Sequence, residues 1–133
     1  MMSQGNAEIA RRTFELWNRG ELDEWGLMHH PDVVVDPPDG WPESEQPRSR
    51  EQWLAQAIRL TDSWDSQHIE VKRIAEVGDR VVVLFSWITR GKGSHIDLVT
   101  DMACLATFQD GLIARLKYFI DEAEALKAAG LSE

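Results

Sequence analysis

The sequence predicts an α+β fold, a strongly curved antiparallel sheet with helices packed on one face. Three observations carry this. Apolar residues recur at helical spacing up to about Thr61, and from Gln67 onward they alternate with period two. Glycine-containing turns, Gly78-Asp79 and Asp110-Gly111, join the later segments as hairpins. Helices followed by a run of strands is the element order of an α+β domain. The 133 residues suit one domain, with its core over about residues 6–130.

The first helix runs from Asn6, a capping residue, with Ile9, Thr13, Leu16 and Trp17 on one face. Gly20 ends it in the left-handed conformation. A second short helix covers about Leu22 to His29 and is broken by Pro31. Val33-Val34-Val35-Asp36 then reads as a strand stopped by Pro37 and Pro38, which cannot donate to a sheet. That places an acid at a strand mouth, followed by a stiff loop carrying Trp41. Ser49-Arg50-Glu51-Gln52 is a capping-box pattern, starting a helix to about Thr61 with Trp53, Leu54, Ala57, Ile58 and Thr61 inward.

In the second half, Gln67–Val77 alternates, Val81–Thr89 reads as a strand buried on both faces, and His95–Phe108 and Leu112–Ile120 follow. A tail helix spans Asp121 to Ala129, with Gly130 as its stop. If Leu84, Ser86 and Ile88 look inward, Phe85 and Trp87 form an aromatic patch on the outer face, as at an interface.

Composition narrows the function classes. A formal charge of −9 opposes nucleic-acid binding, which needs Lys and Arg against phosphates. Six tryptophans point to a bulky core, a lined pocket or an aromatic interface. One cysteine, Cys104, excludes an internal disulfide framework and fits a reducing compartment. No signal peptide is recognisable and no apolar run is long enough to cross a membrane, so a cytoplasmic protein is expected. His29, His30 and Asp32 lie close together, but the chain has no His-Glu-x-x-His pattern and no cysteine-rich set, so no metal is expected.

Asn18-Arg19-Gly20-Glu21-Leu22-Asp23, the run from Asp32 to Pro37, Gly78-Asp79-Arg80-Val81-Val82-Val83, Asp110-Gly111 and the closing Asp121–Leu126 together carry a family likeness. Over about Asn6 to Gly130 the chain resembles the SnoaL-like polyketide cyclase family of the nuclear transport factor 2-like superfamily. The resemblance implies a cone-shaped half-barrel, cystatin-like, with N-terminal helices on the concave face of the sheet. It also implies a small hydrophobic or carbonyl-bearing ligand in the cone, no cofactor, and a homodimer through the outer sheet face at Phe85 and Trp87. The superfamily holds both enzymes and non-catalytic members, so fold alone leaves function open.

Asp36 is the first candidate. A carboxylate desolvated at an apolar mouth suits a general base, and Asp36-Pro37 resembles the Asp-Pro base of ketosteroid isomerases. The alternative is a carboxylate that accepts loop N–H groups. The isomerase's tyrosine and protonated aspartate would fall near Thr13 and Cys104, neither a strong donor, which disfavours steroid isomerisation. The acid expected in limonene epoxide hydrolases would fall near Tyr118, and no Asp–Arg–Asp relay is recognisable. Alternation puts Leu116 and Tyr118 on the inner face of the last strand, where Tyr118 either donates to a ligand carbonyl or forms a rim in water. Asp121 is either an acid/base or the cap of the tail helix. Thr13, Trp17, Trp41, Ser86, Met102, Cys104 and Leu116 complete the expected ligand contacts. Two functions follow: a cofactor-free isomerase, cyclase or dehydratase using Asp36, Tyr118 and Asp121, or a non-catalytic ligand-binding or dimerisation module.

Overall fold

The computed structural model describes residues 5–38 and 46–131. Helix α1 (Asn6–Arg19) buries Ile9, Ala10, Thr13, Leu16 and Trp17 on one face, as the spacing predicts. Gly20 closes it at φ 74°, its N–H reaching the carbonyls of Leu16 and Trp17. The N-terminus differs from expectation. Gly5, not Asn6, is the cap, and the free Ala7 N–H donates to Glu76 Oε1 at 3.0 Å. Near the other end Asn18 behaves as a strand residue would. Its Nδ2 donates to the Ile69 carbonyl at 2.8 Å, and its Oδ1 accepts the Ile69 N–H at 2.7 Å.

Helix α2 (Leu22–Leu27) ends before His29, which instead opens strand β1 (His29–Asp36). Pro31 therefore lies inside a strand, at an exposed position of an edge strand, where a missing N–H is tolerated. Helix α3 (Arg50–Asp62) starts at Ser49, whose Oγ accepts the Gln52 N–H at 3.1 Å, and Gln52 Oε1 accepts from Arg48 N at 2.9 Å. Trp53 and Ala57 are buried; Ile58, expected inward, is exposed.

Strands β2 (Trp64–Val77), β3 (Arg80–Gly91), β4 (Asp97–Gln109) and β5 (Leu112–Phe119) form an antiparallel meander, and β1 joins β5 in parallel. The sheet order is β1-β5-β4-β3-β2, so the curved sheet is mixed, not wholly antiparallel. No hairpin links β1 to β5; the chain reaches β5 only after α3 and three strands, which leaves the pair free to run parallel. The β4–β5 turn places Asp110 and Gly111 at φ 55° and 78°, the paired left-handed geometry of a tight hairpin.

Helices α1 to α3 cover one face of the sheet, over Val33, Val35, Val83, Phe85, Cys104 and Leu116. Helix α4 (Glu122–Ala128) covers part of the other, where Ala125 and Leu126 meet Val82, Leu84 and Ala103. Arg80 donates to the Ala128 and Ala129 carbonyls at 3.2 and 3.4 Å, satisfying orphan acceptors at the end of α4. Lys72 ties the helix to the sheet through Glu122 at 2.6 Å and Asp101 at 3.5 Å.

Strand β3 is buried on both faces, but its alternation is the reverse of that expected. Val81, Val83, Phe85 and Trp87 pack with the helices, while Val82 and Leu84 face α4. The aromatic patch expected on the outer face therefore does not exist: Phe85 and Trp87 belong to the inner core. No helix among the described residues is long and apolar enough to cross a membrane.

Candidate functional site

Between α1–α3 and the inner face of the sheet lies a cavity of about 120 Å³, partly open to solvent. That is the scale of an apolar cavity able to take a single aromatic ring. Its lining is overwhelmingly apolar and rich in rings. Trp25 stands at the centre of the wall, 5.4 Å from both Trp17 and Trp53 between ring centroids. Trp53 lies 6.2 Å from Tyr118, which meets Phe85 edge-on at 6.5 Å. Such tilted and edge-on contacts are favourable ring geometries and stiffen the wall.

Two of the tryptophans share one acceptor. Gln67 Oε1, from β2, accepts Trp17 Nε1–H at 2.6 Å and Trp87 Nε1–H at 3.0 Å. Indole nitrogens only donate, so both rings require the amide oxygen on their side. The indole N–H of Trp53 is buried with no partner among the described residues.

Of the residues expected to contact a ligand, Thr13, Trp17, Met102, Cys104 and Leu116 all line the cavity, as does Tyr118. Thr13 donates its hydroxyl hydrogen to the Ala10 carbonyl at 2.6 Å, so it offers a ligand no donor. Cys104 is fully enclosed, and burial pushes its thiol up to about 12, so it stays protonated. Tyr118 is the cross-strand partner of Cys104. Burial first, and the neighbouring thiol second, raise the phenol well above its ordinary value. It is therefore a donor at any physiological pH, and its hydroxyl makes no hydrogen bond among the described residues.

Three expected site residues lie elsewhere. Asp36 does not line the cavity; Val35, one residue earlier, does. Successive strand side chains face opposite ways, so the residue next to an inward valine must point out. Outside, Asp36 accepts from Arg115 Nε and Nη2, both at 2.9 Å, and from Gln46 Nε2. Ser86 is turned to the same outer side of the sheet, donating to Asp101 Oδ1 at 2.7 Å. Asp121 caps α4, its Oδ1 accepting the Ala123 N–H at 2.8 Å, on the surface. Trp41 lies outside the described residues. Among the described residues no three His, Cys, Asp or Glu side chains converge as a metal site requires.

Two polar cavity residues, Gln56 of α3 and His29, were not anticipated from the sequence. His29 is 1% exposed and lines the cavity, with its ring edge-on to Trp25 at 4.7 Å. Its Nδ1 sits 3.0 Å from the Trp25 carbonyl. Desolvation above all, with some help from the Arg50 charge, holds the imidazole down at about 4 against the Trp25 and Gly26 carbonyls. The ring is neutral at pH 7. The placement depends on α2 ending at Leu27 and on parallel pairing of His29 with Ile113, neither of which local spacing reveals.

Solved structures with the same architecture share little sequence with this chain. A protein of ketosteroid isomerase-like fold from Catenulispora acidiphila, in complex with trimethylamine, is 18% identical with a TM-score of 0.75, covering 93% of each chain. An NTF2-like protein of unknown function from Burkholderia pseudomallei is 19% identical with a TM-score of 0.77, over 93% of this chain and 97% of that one. TerC, co-crystallised with polyporic acid, is 17% identical with a TM-score of 0.75, over 94% of this chain and 98% of that one. No curated protein sequence is recognisably similar. At such identities these structures establish the fold and nothing finer. The sequence itself is more specific, because the SnoaL-like domain profile matches residues 10–116, from within α1 to the cavity-lining Leu116 of β5. The chain belongs to the SnoaL-like domain family.

Proposed function

We propose that this protein binds a small, largely apolar, ring-bearing molecule with a hydrogen-bond acceptor such as a carbonyl, in the cavity between α1–α3 and the sheet. The observation that carries this is the Tyr118 hydroxyl, a protonated donor without a partner in an aromatic-lined cavity. An unpaired polar group in such surroundings costs about 1–3 kcal/mol, which a ligand acceptor would recover. Two proteins of the same fold hold small molecules, trimethylamine and polyporic acid, which supports the reading.

Binding without turnover is the form we favour. Isomerisation, cyclisation or dehydration through Asp36 would need its carboxylate at the reacting carbon, whereas Arg115 holds it outside the cavity. A homodimer through Phe85 and Trp87 is not part of the proposal, since both rings line the cavity. A cytoplasmic location is part of it, supported by the single cysteine, which leaves no internal disulfide.

Acetophenone, a single ring with a carbonyl and no donor, tests the proposal by NMR titration. We expect saturable binding with shifts in the Trp53 and Tyr118 resonances, weakened about five- to tenfold in Tyr118→Phe, the worth of one hydrogen bond. Equal binding to that variant would remove Tyr118 from the site. Failure of both acetophenone and toluene to bind would overturn the cavity as a ligand site.

A further inference from the structure

The cavity contains a second polar group whose chemistry complements that of Tyr118. A carbonyl oxygen can only accept, so the Nδ1 atom that faces the Trp25 carbonyl carries the ring hydrogen of His29. In a neutral imidazole this leaves Nε2 with its lone pair and no hydrogen. No hydrogen bond to Nε2 occurs among the described residues. The tautomer is thus set by the backbone of α2, and the ring is clamped edge-on to Trp25. The indole-rich part of the lining offers no acceptor. Trp17, Trp25, Trp53 and Trp87 can only donate, so, Tyr118 aside, the other side-chain oxygen acceptors of the lining are Gln56 and the Thr13 oxygen, whose hydrogen goes to the Ala10 carbonyl.

We propose that His29 Nε2 is a ligand-recognition acceptor of this cavity, so that the cavity selects molecules carrying a hydroxyl or N–H donor on an otherwise apolar frame. This rests on the reading of the cavity as a small-molecule site and names the ligand chemistry more closely. His29 pairs with Ile113, whereas Tyr118 lies five residues further along β5, so the two groups read different parts of a ligand. A pure hydrocarbon would leave both unpaired. An imidazole that stays neutral across the physiological range can accept throughout it.

Phenol and toluene have nearly the same shape and differ in one hydroxyl, which can donate to Nε2 or accept from Tyr118, so the change of their affinity ratio in each variant separates the two contributions. Both are titrated by ligand-observed NMR into the wild type, His29→Phe and Tyr118→Phe. We expect the preference for phenol relative to toluene to fall at least fivefold in His29→Phe and by less than twofold in Tyr118→Phe. In the wild type, phenol should move the ¹⁵N resonance of Nε2 while leaving Nδ1 in place, a readout that does not depend on the variant folding. If both probes bind but the ratio is unchanged in His29→Phe, or Nε2 does not respond, His29 is a core histidine and only this inference falls. If neither probe binds the wild type, the cavity reading falls first and takes His29 with it.

Discussion

Arg115 holds Asp36 on the side of the sheet away from the cavity, with Nε and Nη2 each 2.9 Å from the same carboxylate oxygen. The pair joins β1 to β5, the one parallel contact of the sheet, near the register of Asp36 with Lys117. Asp36→Asn should therefore behave as a stability mutation. The Arg115 side chain is 60% exposed, so solvent screening limits the loss to about 1 kcal/mol. Acetophenone binding should stay within twofold of wild type. Urea denaturation and NMR titration measure the two effects, and a large loss of binding with unchanged stability would restore Asp36 to the site.

His29 makes stability depend on pH, and the sign follows from its environment. In the unfolded chain it protonates near 6.5, whereas burial keeps the folded imidazole neutral down to about 4. Between these values the unfolded state binds the extra proton, so acid favours unfolding. The contribution of His29 is intact above pH 6.5 and declines as the pH falls to about 4, by about 3 kcal/mol in all. Urea midpoints at pH 7, 5.5 and 4 should drop steadily. His29→Phe should flatten that slope. An equally steep profile in the variant would show that another group drives it.

How much of this was legible in the sequence depends on whether the signal is local. Helical spacing in α1, the Ser49–Gln52 cap and the Asp110-Gly111 turn each lie within a few residues, and each element forms where its pattern predicts. The face assignment of β3 is different. Both its faces are apolar, because α1–α3 pack on one and α4 on the other, so Val81 to Phe85 carries no mark of which way is in. The assignment was reversed there, and with it went Ser86, Phe85 and Trp87. In β1 the three consecutive valines hide the same ambiguity, and a one-residue change of phase decides whether Asp36 meets the cavity or Arg115. Tyr118 and Leu116 were placed correctly because charged Arg115 and Lys117 mark the opposite face of β5. His29 was hidden by a non-local cause, the parallel pairing that draws the residue after α2 into the sheet.

Gln67 is the remaining residue on which the cavity wall depends, although it lies on the edge strand β2. Its single carbonyl oxygen satisfies the indoles of both Trp17 from α1 and Trp87 from β3, and so fixes their orientation towards each other across the cavity. Gln67→Met keeps side-chain length and removes the acceptor, leaving two indole N–H groups unpaired. With Trp17 buried and Trp87 half-buried, a cost of about 2 kcal/mol is expected, within the range for stranding polar groups. Toluene affinity should fall severalfold as the wall loosens, since toluene makes no hydrogen bond and reports only shape. Gln67→Glu keeps an acceptor for both indoles and should recover most of the toluene affinity. Equal loss in the Met and Glu variants would mean that the shared hydrogen bonds do not shape the cavity, and that Gln67 acts only by packing.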